Sequence, residues 1–185
     1  MLRIRRAPES TLFPYAALLR SAEKGLEALG GKVVARKGNS KGVDTDKLPG
    51  IVLDDSTAKL TGKWMKSTHT APFIKVGYQH DMGQGKGQKS ARFEPRITEG
   101  GIYEVRIGYT PGSNRDTRVP VKIDHADGLE TVYVNQAIPP PIGGHFVAVG
   151  RFRFEADTRP SITISNEGTK NVVIIDGIHL LHEKD

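Results

Sequence analysis

The sequence predicts an all-β protein built as an antiparallel sandwich, and three observations carry that prediction. The first is alternation: Ile102, Glu104, Arg106 and Gly108 fall on one face of a segment whose other face holds Tyr103, Val105, Ile107 and Tyr109. That is the period of two of a half-buried strand. The second is repetition, since about ten short segments of this kind follow one another, the usual mark of a sandwich or barrel. The third is what separates them: Pro111-Gly112-Ser113-Asn114, Ala126-Asp127-Gly128, Pro139-Pro140-Pro141 and Asn166-Glu167-Gly168 are turns, with no helical period between the strands. Parallel strands need crossovers of a dozen or more residues, so this spacing requires antiparallel pairing.

Taken in order, residues 1–31 form an N-terminal helical segment. Tyr15, Leu18, Leu19, Ala22, Leu26 and Leu29 recur at helical spacing and Gly30-Gly31 supplies a stop. Within it, residues 8–21 also resemble a peptide produced by translating a sequencing adapter, departing from it at Ala16, Ala17 and Leu19. On that reading the informative sequence starts near Ala22. Residues 32–50 are rich in Lys, Gly, Asn, Ser and Asp and end on Leu48-Pro49-Gly50, which reads as a linker. The sandwich is expected over residues 51–185, with strands at 51–53, 63–66, 73–78, 90–94, 102–109, 119–125, 131–135, 145–154, 161–165 and 172–181.

Bulk properties narrow the function. A chain of 185 residues is long enough to bury a core without staples, and its cysteine count of 0 removes thiol catalysis, zinc-thiolate sites and disulfides. No apolar run reaches the roughly 18 residues of a spanning helix, so no membrane partner is expected. The net charge of +6 suggests nucleic acid until it is located. Residues 1–50 carry 10 Lys and Arg against 5 Asp and Glu, whereas residues 51–185 carry 17 against 16. The part that folds is nearly neutral and has no phosphate-neutralising stripe, which argues against nucleic acid.

No catalytic motif stands out. His69, His80, His125, His145, His179 and His182 have no metal-ligand spacing, and the G-x-S-x-G elbow of a serine nucleophile is absent. Gly83-Gln84-Gly85-Lys86-Gly87 lacks the following helix that a dinucleotide loop needs, so it reads as a flexible loop. A sugar-binding surface needs an aromatic ring for the apolar face of a pyranose and polar neighbours for its hydroxyls. Trp64, Phe73, Tyr78, Tyr109 and Tyr133 are the available rings. Tyr78, beside His80 and Asp81, is the first candidate, Trp64 is a second, and Asn114 with Arg115 offers a further exposed polar loop.

Read in order, several blocks carry a resemblance. They are Ile51-Val-Leu-Asp-Asp55, Gly62-Lys-Trp64, Gly77-Tyr78, Ser90-Ala-Arg-Phe-Glu-Pro95, Gly101-Ile-Tyr-Glu-Val-Arg106, Thr131-Val-Tyr-Val-Asn-Gln136, Val149-Gly-Arg-Phe-Arg-Phe154, Ile162-Thr-Ile-Ser-Asn166 and Val173-Ile-Ile-Asp-Gly-Ile178. In this order and spacing the chain resembles the C-terminal domain shared by golvesin and xanthan lyase, with Asp176-Gly177 where that family commonly has Asp-Ala. The resemblance implies a galactose-binding-like jelly roll of carbohydrate-binding-module type, appended to a larger bacterial extracytoplasmic protein. It implies no catalysis and no cofactor in this chain, with carbohydrate or the parent's catalytic domain as partner. Similar tails close certain bacterial FAD-dependent oxidoreductases, which makes a structural role in such an enzyme the alternative. In many jelly rolls the first and last strands pair and hold a structural calcium, which makes Asp54, Asp55 and Asp176 its candidate ligands.

Overall fold

The computed structural model describes residues 42–183; the predicted helix at residues 15–29 and the first part of the predicted linker lie outside them. The strands are β1 (Ile51–Asp54), β2 (Lys59–Thr61), β3 (Met65–Ser67), β4 (Tyr78–His80), β5 (Ser90–Phe93) and β6 (Gly101–Gly108). They continue as β7 (Val119–His125), β8 (Gly128–Val134), β9 (Phe146–Phe154), β10 (Ile162–Ser165), β11 (Ile174–Ile175) and β12 (Gly177–His182). A four-stranded sheet in the order β1-β12-β6-β9 packs on a five-stranded sheet in the order β2-β5-β10-β7-β8, and β11-β4-β3 forms a small third sheet. Every strand pairing is antiparallel. The fold is the antiparallel β-sandwich that the sequence predicts.

The alternation seen in the sequence becomes the core. Tyr103, Val105 and Ile107 of β6, with Ile178 and Leu180 of β12, point inward from one sheet. Ala91, Phe93, Val121, Ile123, Ile162 and Ile164 meet them from the other. Each fully buried Ile or Val contributes roughly 1.5 to 3 kcal/mol, so this one cluster accounts for most of the drive to fold. The β7–β8 hairpin closes on Ala126-Asp127, since His125 pairs with Gly128. Strand β8 therefore starts three residues earlier than its apolar pattern suggests.

Two local readings are corrected, and one strand is added to those expected. Residues 73–78 are not one strand: only Tyr78 enters β4, because the Ile74 N–H donates to Asp176 at 3.0 Å and the Lys75 N–H to the Val43 carbonyl at 3.1 Å. Lys75 is also in the left-handed region at φ 49°, which turns the chain. The apolar run 172–181 splits at Asp176 into β11 and β12, which belong to different sheets. Strand β2 has all three residues exposed and carries no apolar pattern to announce it.

The end of the predicted linker is attached to the sandwich. Val43 N–H donates to Phe73 O at 3.1 Å, and the His179 Nε2–H donates to Pro49 O at 2.7 Å. A notch explains the Gly177 departure. Gly108 and Gly177 are paired across β6 and β12, and the Ile74 side chain lies where their Cβ atoms would be, at 2.6 and 3.0 Å. A Cβ on Gly177 would also stand 2.5 Å from Leu53 O.

Candidate functional site

The glycine-rich segment is a framed loop rather than a flexible one. Asp81, fully buried at its base, accepts from the Gly83 N–H at 2.8 Å, the Val173 N–H at 2.9 Å, Lys86 Nζ at 2.8 Å and Asn166 Nδ2 at 3.0 Å. Asn166 Nδ2 also reaches Gln84 O and Gly85 O, and Lys89 Nζ donates to Asp81 O at 2.6 Å. Met82 and Gly83 both adopt positive φ, at 62° and 68°, so the chain curls tightly over this carboxylate. Burial alone would raise the Asp81 pKa, but Lys86 and the N–H and amide donors outweigh it and hold it below the usual carboxylate range. Strand β5 follows the loop, with no helix N-terminus to receive a phosphate.

The rings singled out from sequence are mostly inside. Trp64 is 9% exposed and its indole N–H donates to Thr61 O at 3.0 Å, while Tyr78 is 3% exposed and its hydroxyl accepts from Ser67 Oγ at 3.3 Å. Trp64, Tyr78 and Asp81 are thus packed into the protein, and Tyr78 also lines a cavity of about 320 Å³ beside Asp54 and Asp55. The structure does bring His80 and Arg115 together from distant segments. Burial, then the Arg115 guanidinium, lowers the His80 pKa. Arg115 Nη1 donates to Asn114 Oδ1 at 2.8 Å, and next to it buried Asp116 accepts the N–H groups of Arg118, Lys170 and Asn171. That carboxylate orders the loop that carries Asn114 and Arg115.

Asp54, Asp55 and Asp176 do converge where β1 meets β12. Asp54 Oδ1 caps the following turn through the Ser56 N–H at 3.3 Å, and the Asp55 N–H donates to Asp176 O at 2.8 Å. Both Asp176 carboxyl oxygens face the Ile74 N–H at 3.0 Å. Burial pushes the Asp176 carboxyl up to about 8 and Asp55 up to about 7. Among the described residues no group of three or more His, Cys, Asp or Glu side chains stands in a metal-holding arrangement. As placed, the Asp54 and Asp176 carboxyls accept from backbone N–H groups.

Every Trp, Tyr and Phe among the described residues is buried except Tyr133, which is 51% exposed. Tyr133 stands on β8, where Val132 and Val134 turn inward, so the two valines of Thr131-Val132-Tyr133-Val134 are the signal that marks this ring as the outward one. The Arg118 guanidinium lies over the ring, 3.9 Å from its centroid, a cation–π contact that covers one of its two faces. Tyr133 pairs with Pro120 of β7. Pro120 has no N–H, and the β10–β7 pairing stops one residue before it, at Ile164 and Val121. One further step of that register sets Ser165 beside Pro120. Ser165 pairs with Ser90 and Ser90 with Thr61, which gives a line of hydroxyls running away from the ring. Thr61, Ser90, Thr163 and Ser165 line a groove of about 250 Å³ there, and the Ser165 hydroxyl in it is shielded from solvent and unpartnered.

The comparisons agree with this architecture. Xanthan lyase from Bacillus sp. (strain GL1) is 31% identical over 124 residues, which are 65% of this chain and 13% of that protein's length. The structure of a Paenibacillus xanthan lyase superposes with a TM-score of 0.67 at 29% identity, over 72% of this chain and 13% of that one. A Podospora anserina GH26-CBM35 β-(1,4)-mannanase shares the fold, with a TM-score of 0.55 at 20% identity over 73% of this chain and 28% of that one. The matched stretch of the Golvesin C-terminal domain family, residues 51–182, runs from the first residue of β1 to the last of β12, and the chain belongs to that family.

Proposed function

We propose that this domain is a non-catalytic accessory module of a larger extracytoplasmic protein and that it binds carbohydrate. The observation that carries the reading is Tyr133: it is the one Trp, Tyr or Phe side chain among the described residues left at the surface, and it shares a sheet face with a groove lined by Ser and Thr hydroxyls. The face of the ring that Arg118 leaves free takes the apolar C–H face of a pyranose, and Ser and Thr hydroxyls exchange hydrogen bonds with its hydroxyls. The small share of the xanthan lyase relative that the chain covers, 13%, supports a module appended to a larger catalytic body. Affinity electrophoresis of the full chain against a panel of neutral and acidic polysaccharides tests the reading. At least one polymer should retard the protein, and Tyr133→Ala should weaken that interaction about tenfold or more. A blank across the panel overturns it.

A further inference from the structure

We infer that the outer face of the five-stranded sheet takes an acidic polysaccharide, a chain bearing carboxylates of the uronate kind, laid across the strands. The inference rests on the carbohydrate-binding reading and adds to it the charge of the ligand and the direction in which it lies. It comes from register. Thr131 pairs with Lys122, Lys122 with Thr163, Thr163 with Arg92, and Arg92 with Lys59. Directly paired residues share a face, so these side chains form one row across five strands, about 19 Å long at about 4.8 Å per strand. Two residues along each strand lies the second row, with Tyr133 and Pro120 at one end and the hydroxyls of Ser165, Ser90 and Thr61 beyond. The groove of about 250 Å³ takes Thr61, Ser90 and Ser165 from the hydroxyl end of one row and Lys122 and Thr163 from the other.

The two rows differ in chemistry, and the difference fits one class of ligand. The row with Tyr133 offers a stacking surface and then hydroxyls, which any sugar chain can use. The row beside it offers Lys122, Arg92 and Lys59, one cation on every second or next strand, with Arg118 added at the ring. The carboxylates facing these four cations are Glu94, which takes Lys59 at 2.7 Å and Arg92 at 3.0 Å, Glu167, which takes Lys122 at 3.1 Å, and exposed Asp124 beyond Lys122 on the same face of β7. The four cations face three carboxylates, and the Lys122–Glu167 pair, exposed on both sides, is one that a ligand carboxylate can replace at little cost. A neutral glycan would leave this row unused.

The test compares one polyuronate with its own carboxyl-reduced form, using the full chain and titration calorimetry at low and high salt. The polyuronate should bind at least tenfold more tightly, and added salt should narrow the gap. Lys122→Met with Arg92→Gln should abolish that preference, and Tyr133→Ala should weaken the binding of both polymers, each variant being checked for a wild-type melting temperature. Equal affinity for the two polymers overturns the acidic assignment and leaves carbohydrate binding standing. Equal binding of polyglutamate overturns it as plain ion exchange. If neither polymer binds and the wider panel is blank, the carbohydrate reading itself fails.

Discussion

Asp81 and Asp176 are both fully buried aspartates, and the protein treats them in opposite ways. Asp81, under the glycine-rich loop, has four donors including the Lys86 ammonium and is held ionised. Asp176, at the junction of β11 and β12, meets one backbone N–H and has Asp54 and Asp55 for neighbours, so its carboxyl is pushed up to about 8. Burial is common to both, and the number and charge of donors decide the protonation state. One carboxylate fastens a loop through its charge, whereas the other acts as a neutral, hydrogen-bonding wedge.

The largest break in this comparison should come from Asp81→Ala. It removes the ionic partner of the Lys86 ammonium and leaves the Gly83 and Val173 N–H groups without an acceptor, so denaturant unfolding should show a loss of about 3 to 5 kcal/mol. A smaller and pH-dependent effect is expected at Asp176. In the folded protein Asp176 and Asp55 keep their protons well above the ordinary value of 3.8, so the stability they contribute is full below that value and disappears as pH rises through about 7 and 8. Asp81 and Asp116 are shifted down, so their contribution is present above 3.8 and is lost as pH falls below it. Melting temperature should therefore peak in mildly acid solution and fall toward pH 9. Asp176→Asn should remove most of the alkaline fall, exceeding wild type by about 1 kcal/mol or more at pH 9 and matching it near pH 5. If the alkaline limb persists in that variant, Asp176 is not the group that causes it. The smallest effect belongs to the surface pair Lys47–Asp44, whose side chains are 82% and 55% exposed: Lys47→Ala should move stability by about 0.5 kcal/mol or less.

The sequence was most legible where one face of a strand is apolar and the other is not. Strands β6, β7 and β10 follow from Tyr103-Val105-Ile107, Val119-Val121-Ile123 and Ile162-Ile164, because a period of two fixes which face is buried. It was least legible where the backbone takes its partners from outside a ladder. Phe73 and Ile74 look like strand residues, yet their polar groups go to Val43 and to Asp176, which is 102 residues away. The tyrosines were unevenly legible. The flanking valines mark Tyr133 as outward, whereas nothing in Gly77-Tyr78-Gln79-His80 shows that Tyr78 is packed inside. The paired rows on the outer face depend on register between strands as distant as β2 and β10, which periodicity within one segment does not encode.

The pairing of β1 with β12 bears on how the domain responds to force. Ile51 lies opposite Leu180 and Asp54 opposite Gly177, so the chain enters and leaves the sandwich at the same end through neighbouring strands. A pull applied between Ile51 and His182 runs along the cross-strand hydrogen bonds, which lie perpendicular to the strands, and loads them one after another. The domain should therefore open as a zipper at low tension. A module tethering a larger body to a surface through these two ends would yield there before the five-stranded sheet is disturbed.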